Sequence, residues 1–323
     1  MKLLVCGGAG FIGSNFIRRA LASNAATQVV NLDKLTYAGN PDNLRSVEAD
    51  PRYRFVQGDI VNREAVMRAA EGADAIVNFA AETHVDRSIT DPEAFLRTDI
   101  MGTHALLEAV RELGIGRMVQ VSTDEVYGSV ETGSSDEDCP LVANSPYSAS
   151  KAGGDLQVLA YHRTYGLPVM ITRGSNTYGP YQYPEKLIPL FILRALQNES
   201  LPVYGDGRNV RDWLYVDDNC SGIDTVRTTG KAGEIYNIGA DNPRSNMDIT
   251  YAILNELQKP HSLIHFVKDR PGHDWRYSID SSKIQQLGWV PSMSREFDRV
   301  MKQTIRWYLE NEWWWKPLLQ KGT

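Results

Sequence analysis

Short apolar runs and amphipathic stretches take turns along the first half of the chain. Residues 2–5 (Lys-Leu-Leu-Val) read as a buried strand, and 13–23 then show helical spacing through Phe16, Ile17, Ala20 and Leu21. Further strands are predicted at 28–32, 53–56, 75–79, 117–121 and 169–172. Helices are predicted between them at 63–70, 94–113 and 147–165, the last ending at Gly166-Leu167-Pro168. Strands that alternate with helices imply a doubly wound parallel sheet with right-handed crossovers, extending to about residue 175.

The alternation then loosens. GPYQYPEKLIPL and LPVYGDGRNVRDWLYVDD are rich in Pro, Gly and Tyr, with a predicted helix at 187–197 between them. The expected division is a sheet domain over 1–176, to which the chain returns near 211–239. A smaller mixed α/β substrate-binding domain is expected over 177–210 and 240–323. The aromatic tail NEWWWKPLL is expected to pack on the protein, because its apolar run is too short to enter a membrane.

Composition narrows the function. With 323 residues and 42% hydrophobic content the chain can bury a large core. Its net charge of −6 gives no general field for nucleic acid or anionic lipid, so an anionic ligand needs local Arg or Lys. Cys6, Cys139 and Cys220 are widely scattered, with no zinc spacing. No metal site, membrane span or signal peptide is expected, and a cytoplasmic location fits best.

Gly7, Gly10 and Gly13 lie between the first strand and first helix. There they permit a tight turn and close approach of backbone to a pyrophosphate. The helix start adds free N–H groups. Asp33 lies 20 residues after Gly13, where an acid can accept both hydroxyls of an adenosine ribose. The pattern predicts a Rossmann-type NAD site. Lys34 next door weakens the preference over NADP, and Asp59 either approaches the adenine or closes a plain turn.

Two further groupings carry chemistry. In SPYSASK, Tyr147 and Lys151 are four apart and so share a helical face, with Pro146 in the first turn and Asn144 or Ser145 as cap. The ammonium is expected to lower the phenol's pKa and make Tyr147 a base. In VSTDEVYGS, Asp124 and Glu125 follow an apolar run. Adjacent strand residues point to opposite faces, so both acids can reach one ligand only if the chain turns after Thr123. Burial and mutual repulsion would then keep one of them protonated.

GGAGFIGSNF, AAETHVDRS, STDEVYGS, SPYSASK, NTYGPYQYPEKLIPL, RDWLYVDD and RPGHDWRY together resemble the dTDP-glucose 4,6-dehydratases, extended short-chain dehydrogenase/reductase proteins. The resemblance implies bound NAD, a nucleotide-sugar substrate and a homodimer. A four-helix interface built from the helices at 94–113 and 147–165 is the expected contact. It assigns catalysis to Thr123, Asp124, Glu125, Tyr147 and Lys151. Tyr147, aided by Lys151 and Thr123, would take the 4-hydroxyl proton as C4 is oxidised. Glu125 would take the C5 proton and Asp124 would protonate the leaving C6 hydroxyl.

Phe11, Ile12, Lys34, Thr36, Asp59, Ile60, Ala80, Ala81 and Thr98 are expected to complete the cofactor site. His84, Thr123, Asn176, Glu185, Lys186, Leu187, Tyr204, Arg211, Asn246, Arg270, His273 and Tyr277 are expected around the substrate, with Arg211 and Arg270 on its pyrophosphate. Asp99, Gly174, Thr177 and Trp275 depart from the residues usual in that family. A nucleotide-sugar 4-epimerase would share the glycine loop and Tyr147–Lys151 but needs no acid pair. A dehydratase of UDP- or CDP-sugars would share every motif. A redox-sensing binding protein on the same fold would tend to lack the Tyr–Lys pair.

Overall fold

The computed structural model describes residues 1–269 and 273–321. The chain begins with β1 (Lys2–Cys6), α1 (Phe11–Ser23), β2 (Gln28–Asp33), β3 (Tyr53–Gln57), α2 (Arg63–Ala70) and β4 (Ala75–Asn78). Two short helices, α3 (Val85–Thr90) and α4 (Pro92–Phe95), precede α5 (Thr103–Leu113), β5 (Arg117–Thr123), α6 (Pro146–Tyr165) and β6 (Val169–Gly174). Then come β7 (Asn176–Tyr178), α7 (Leu187–Leu196), β8 (Leu201–Tyr204), β9 (Val210–Tyr215), α8 (Val216–Thr229) and β10 (Ile235–Ile238). The chain closes with β11 (Pro243–Ser245), α9 (Asn246–Glu256), β12 (Ile264–Val267), α10 (Ser282–Gln285), α11 (Phe297–Glu310) and α12 (Glu312–Lys321).

Seven parallel strands form the main sheet in the order β10-β6-β5-β4-β1-β2-β3. Strand order reverses between β1 and β4, which opens a crevice at their carboxyl ends. Leu3 and Val5 enter one core with α1 and α8, while Leu4 and Cys6 enter the other with α2, α5 and α6. Period-two alternation with both faces covered explains why these strands read as continuous apolar runs.

The smaller sheets are β11-β9-β7 and β12-β8. β9 pairs with β7 and β11, so the chain rejoins the main sheet only through α8 and β10. Residues of α7, α9, α11 and α12 share the core of the α1 face, so the second lobe is packed onto the first. Trp314 and Trp315 of the aromatic tail are buried in it, at 2% and 4% exposure.

The single helix predicted at 94–113 is broken. α4 passes into a π-helical stretch, Leu96–Gly102, before α5 begins. The wide turns place Asp99 in the interior, at 2% exposure. Ser145 caps α6 in a reciprocal box with Ser148, and Pro146 occupies the first turn. A buried pair, Arg173 Nε to Asp155 Oδ2 at 2.9 Å, pins α6 to β6 and so fixes the helix that carries Tyr147 and Lys151.

Candidate active site

The glycine loop follows β1 directly. Gly7 has φ +73°, and a Cβ there would lie 2.5 Å from Ala80 N. At Gly13 a Cβ would lie 2.4 Å from Gly7 O. No side chain is tolerated at either point. α1 starts at Gly10 with no side-chain cap and no acid in its first turn, so its N–H groups and positive dipole end face the crevice. Asp33 stands at the end of β2, held by Ala9 N–H on Oδ2 and Leu35 N–H on Oδ1, both at 2.8 Å. Lys34 is drawn away to Asp59 at 2.8 Å.

Gly7, Gly10, Phe11, Ile12, Gly13, Asp33, Lys34, Thr36, Asp59, Ile60, Ala80, Ala81, Thr98, Tyr147 and Lys151 all line this one cleft, of about 240 Å³. Every residue expected at the cofactor therefore meets in one place. Sequence reasoning missed Asn43, Thr83, Tyr181 and Trp314, which line it too. Thr83 and Tyr181 lie within AAETHVDRS and NTYGPYQYPEKLIPL and Trp314 within the aromatic tail, whereas Asn43 carries no local motif.

A second cavity, of about 470 Å³, lies beside the first. His84, Asn176, Glu185, Lys186, Leu187, Tyr204, Arg211, Asn246 and His273 line it, together with Glu125 and Tyr147. Tyr147, Thr83, Glu185 and Lys186 belong to both cavities, so the phenol stands at their junction. Arg270 lies outside the described residues. Arg211 is buried and donates to the carbonyls of Val210, Asp274 and Trp275 at 2.8, 2.9 and 3.3 Å. His273 Nδ1 is 2.6 Å from Asp269 Oδ1, and its ring meets Tyr204 edge-on. His84 has φ +83°, and burial, with Lys186 beside it, holds its pKa below the ordinary value.

The acid pair leaves the sheet as its surroundings require. β5 ends at Thr123, and Asp124–Tyr127 form a tight 3-10 turn. Glu125 faces the second cavity, and its Oε2 accepts from Tyr277 O–H at 3.5 Å. Asp124 lies behind it, 3% exposed. Thr123 donates to Asp124 Oδ1 at 3.3 Å, while Oδ2 has no hydrogen-bond partner among the described residues. Burial first, then the charges of Glu125 and Asp212, push the Asp124 pKa well above the carboxylate range, and Arg211 only partly offsets them. Burial and the neighbouring charges thus favour the protonated form of Asp124 beside Glu125.

Thr123 and Tyr277, expected at the substrate, are buried, at 9% and 4% exposure, and each is hydrogen-bonded to Glu125, which lines the cavity. Tyr277 also donates to Asp274 Oδ2, and its ring lies beneath the Arg211 guanidinium at 4.4 Å. The expectation for Tyr147 needs correction as well. Its pKa is raised well above the ordinary phenol value, by burial first, then by Glu125 and Asp99, with a Thr123 hydrogen bond opposing. The physical reason is that burial and those carboxylates prevail at this helix start, where Lys151 Nζ donates to Val121 O at 2.8 Å.

Comparison with known proteins agrees with this geometry. The family model described as GDP-mannose 4,6 dehydratase matches residues 4–304. A dTDP-glucose 4,6-dehydratase of Streptomyces niveus is 49% identical, over 98% of this chain and 96% of the relative. A low-salt glycan biosynthesis protein of Haloferax volcanii is 51% identical, over 97% of this chain and 100% of the relative. The crystal structure of a Streptomyces venezuelae dTDP-glucose 4,6-dehydratase double mutant with NAD bound superposes with a TM-score of 0.96. It is 53% identical and covers 98% of this chain and 100% of its own. With its Rossmann-type sheet, glycine loop, Tyr–Lys helix and adjacent acids, the chain belongs to the dTDP-glucose 4,6-dehydratase family of extended short-chain dehydrogenase/reductase proteins.

Proposed function

We propose that this chain eliminates water from dTDP-glucose to give dTDP-4-keto-6-deoxyglucose, using NAD held in the first cleft. The donor set fits the cofactor. The uncapped start of α1 suits a pyrophosphate, Asp33 suits a ribose diol, and Tyr147 and Lys151 line the same cleft, Tyr147 where it meets the second cavity. NAD, when bound there, supplies an oxidant for C4 of the sugar and a reductant for C6.

The remaining chemistry belongs to the chain's own residues. Tyr147 accepts the 4-hydroxyl proton, and Lys151 on the next turn supplies positive charge that favours the phenolate. Burial and the nearby carboxylates raise the Tyr147 pKa, so added positive charge at the junction favours the phenolate. A ketone at C4 acidifies the C5 hydrogen, which Glu125 removes from its place on the cavity wall. Asp124 gives its proton to the departing C6 hydroxyl. Thr123 and Tyr277 orient the two acids.

The observation that carries this reading is the acid pair. Glu125 lines the same cavity as Tyr147, while the adjacent Asp124 is buried, at 3% exposure, where its protonated form is favoured. A 4-epimerase has no use for either proton. Incubation with dTDP-, UDP- and CDP-glucose followed by mass analysis tests it. Loss of one water from dTDP-glucose, faster than from the other two, is expected; an unchanged mass with a new C4 epimer would refute it.

We also infer a homodimer. Leu96, Met101, Leu113, Leu156 and Tyr165, on or next to α5 and α6, are 39–57% exposed. Such apolar surface on two long neighbouring helices supports a four-helix contact between copies. The unpaired thiols Cys6, Cys139 and Cys220 support a reducing compartment such as the cytoplasm.

A further inference from the structure

A loop of glycines has many backbone conformations open to it, so its order must come from outside. Here the support is traceable. Within residues 7–10 the one side chain available is that of Ala9, which is fully buried. Ala9 N–H donates to Asp33 Oδ2 at 2.8 Å. Ala9 O accepts from Asn43 Nδ2 at 2.8 Å and from Asn40 N–H at 3.0 Å. Asn43 Oδ1 in turn accepts the Trp314 indole N–H at 2.6 Å. Asp33, Ala9, Asn43 and Trp314 are all at 8% exposure or less. An unbroken chain of buried hydrogen bonds thus runs from the carboxylate at the end of β2, through the glycine loop, to the last helix.

Trp314 is itself held firmly. Its ring meets Tyr181, Trp307 and Tyr308 at centroid distances of 5.6, 5.1 and 6.2 Å. These rings come from the loop after β7 and from α11, so the second lobe anchors the indole. Trp314, Asn43 and Tyr181 also line the first cleft.

We propose that Trp314 and Asn43 are positioning residues that hold the glycine loop in its dinucleotide-binding conformation, so that the C-terminal helix sets how tightly the cofactor is kept. This rests on the reading of the first cleft as an NAD site. A catalyst that restores its cofactor in every cycle gains from slow release, and a loop braced from the second lobe resists opening. Trp314→Phe keeps the ring but removes the N–H. Asn43→Ser cuts the same chain from the other side. Trp315→Phe is the control, because Trp315 Nε1 makes an equally buried bond, to Tyr308 O at 2.7 Å, that does not lead to the loop.

Equilibrium dialysis of the purified full chain against NAD⁺ gives the dissociation constant, and thermal melting gives stability. Trp314→Phe and Asn43→Ser are each expected to raise the dissociation constant roughly tenfold, about the value of one buried hydrogen bond, and not to add when combined. Trp315→Phe is expected to lower the melting temperature as much but leave NAD⁺ affinity within about twofold. Equal weakening by Trp314→Phe and Trp315→Phe, or unchanged affinity in both Trp314→Phe and Asn43→Ser, would overturn the proposal. If Trp314→Phe does not fold, Asn43→Ser decides alone against the same control. A wild-type chain that takes up no NAD⁺ would overturn the reading of the cleft, and the proposal with it.

Discussion

Thr123 accepts the Glu125 N–H on its side-chain oxygen at 3.2 Å, and this bond ends β5. Without it the next two residues would alternate across the sheet, one acid on each face. With it, Glu125 reaches the cavity wall and Asp124 tucks in behind. Thr123→Val is expected to cost about 1 kcal/mol of stability, the usual value of a lost cap. Turnover should fall further than that loss explains, because the acids lose their register. Denaturant melts and steady-state kinetics on one preparation separate the two effects.

Asp124 must be protonated to act as an acid, so the elimination should slow as pH rises through its raised pKa. Asp124→Asn should lower the rate by a factor on the order of 10²–10⁴. The same change should stabilise the fold. A buried acid whose folded pKa exceeds its unfolded value destabilises the protein once pH passes the unfolded value, and Asn carries no such cost. Melting temperatures in neutral and acidic buffer should show a gain that fades as the pH falls.

Asp99 follows the same sign with a defined window. Burial raises its pKa to about 6, against the opposing field of Lys151 and the Ser150 hydrogen bond at 2.6 Å. Stability is therefore lost as pH climbs from about 4 to about 6. Asp99→Asn is expected to add about 1–3 kcal/mol at pH 8 and progressively less toward pH 4, read by denaturant unfolding at several pH values.

Gly13→Ala places a methyl 2.4 Å from Gly7 O, backbone that cannot move without opening the loop. NAD⁺ affinity is expected to fall by at least about a hundredfold, roughly the 3 kcal/mol that overpacking costs. Calorimetric titration with NAD⁺ checks it, and an affinity near wild type would contradict the phosphate-loop reading.

Leu156, 57% exposed on α6, should be covered by the second copy. Leu156→Lys is expected to shift the mass by light scattering from two chains to one. A wild type already monomeric at micromolar concentration would remove the dimer from consideration.

What could be read from the sequence was what short spacing encodes. Gly7, Gly13 and Asp33 are set by one strand–loop–helix unit, and Tyr147 with Lys151 by one helical turn. The turn after Thr123 follows from two acids needing one face. Asn43 and Trp314 lie 271 positions apart, and only the packing of the last helix across the first lobe joins them. The π-helical break around Asp99 has no signature in an apolar spacing that fits an ordinary helix. Tyr147 shows the limit most plainly. Spacing places a lysine near it, but the burial and the carboxylates that raise its pKa come from other elements.

The claim that one cofactor oxidises C4 and then reduces C6 within a single turnover is tested most directly with dTDP-glucose carrying deuterium at C4. After incubation with the full chain in ordinary water, the label is expected in the C6 methyl group of the 4-keto product. Label that stayed at C4, or that washed out into solvent, would contradict it.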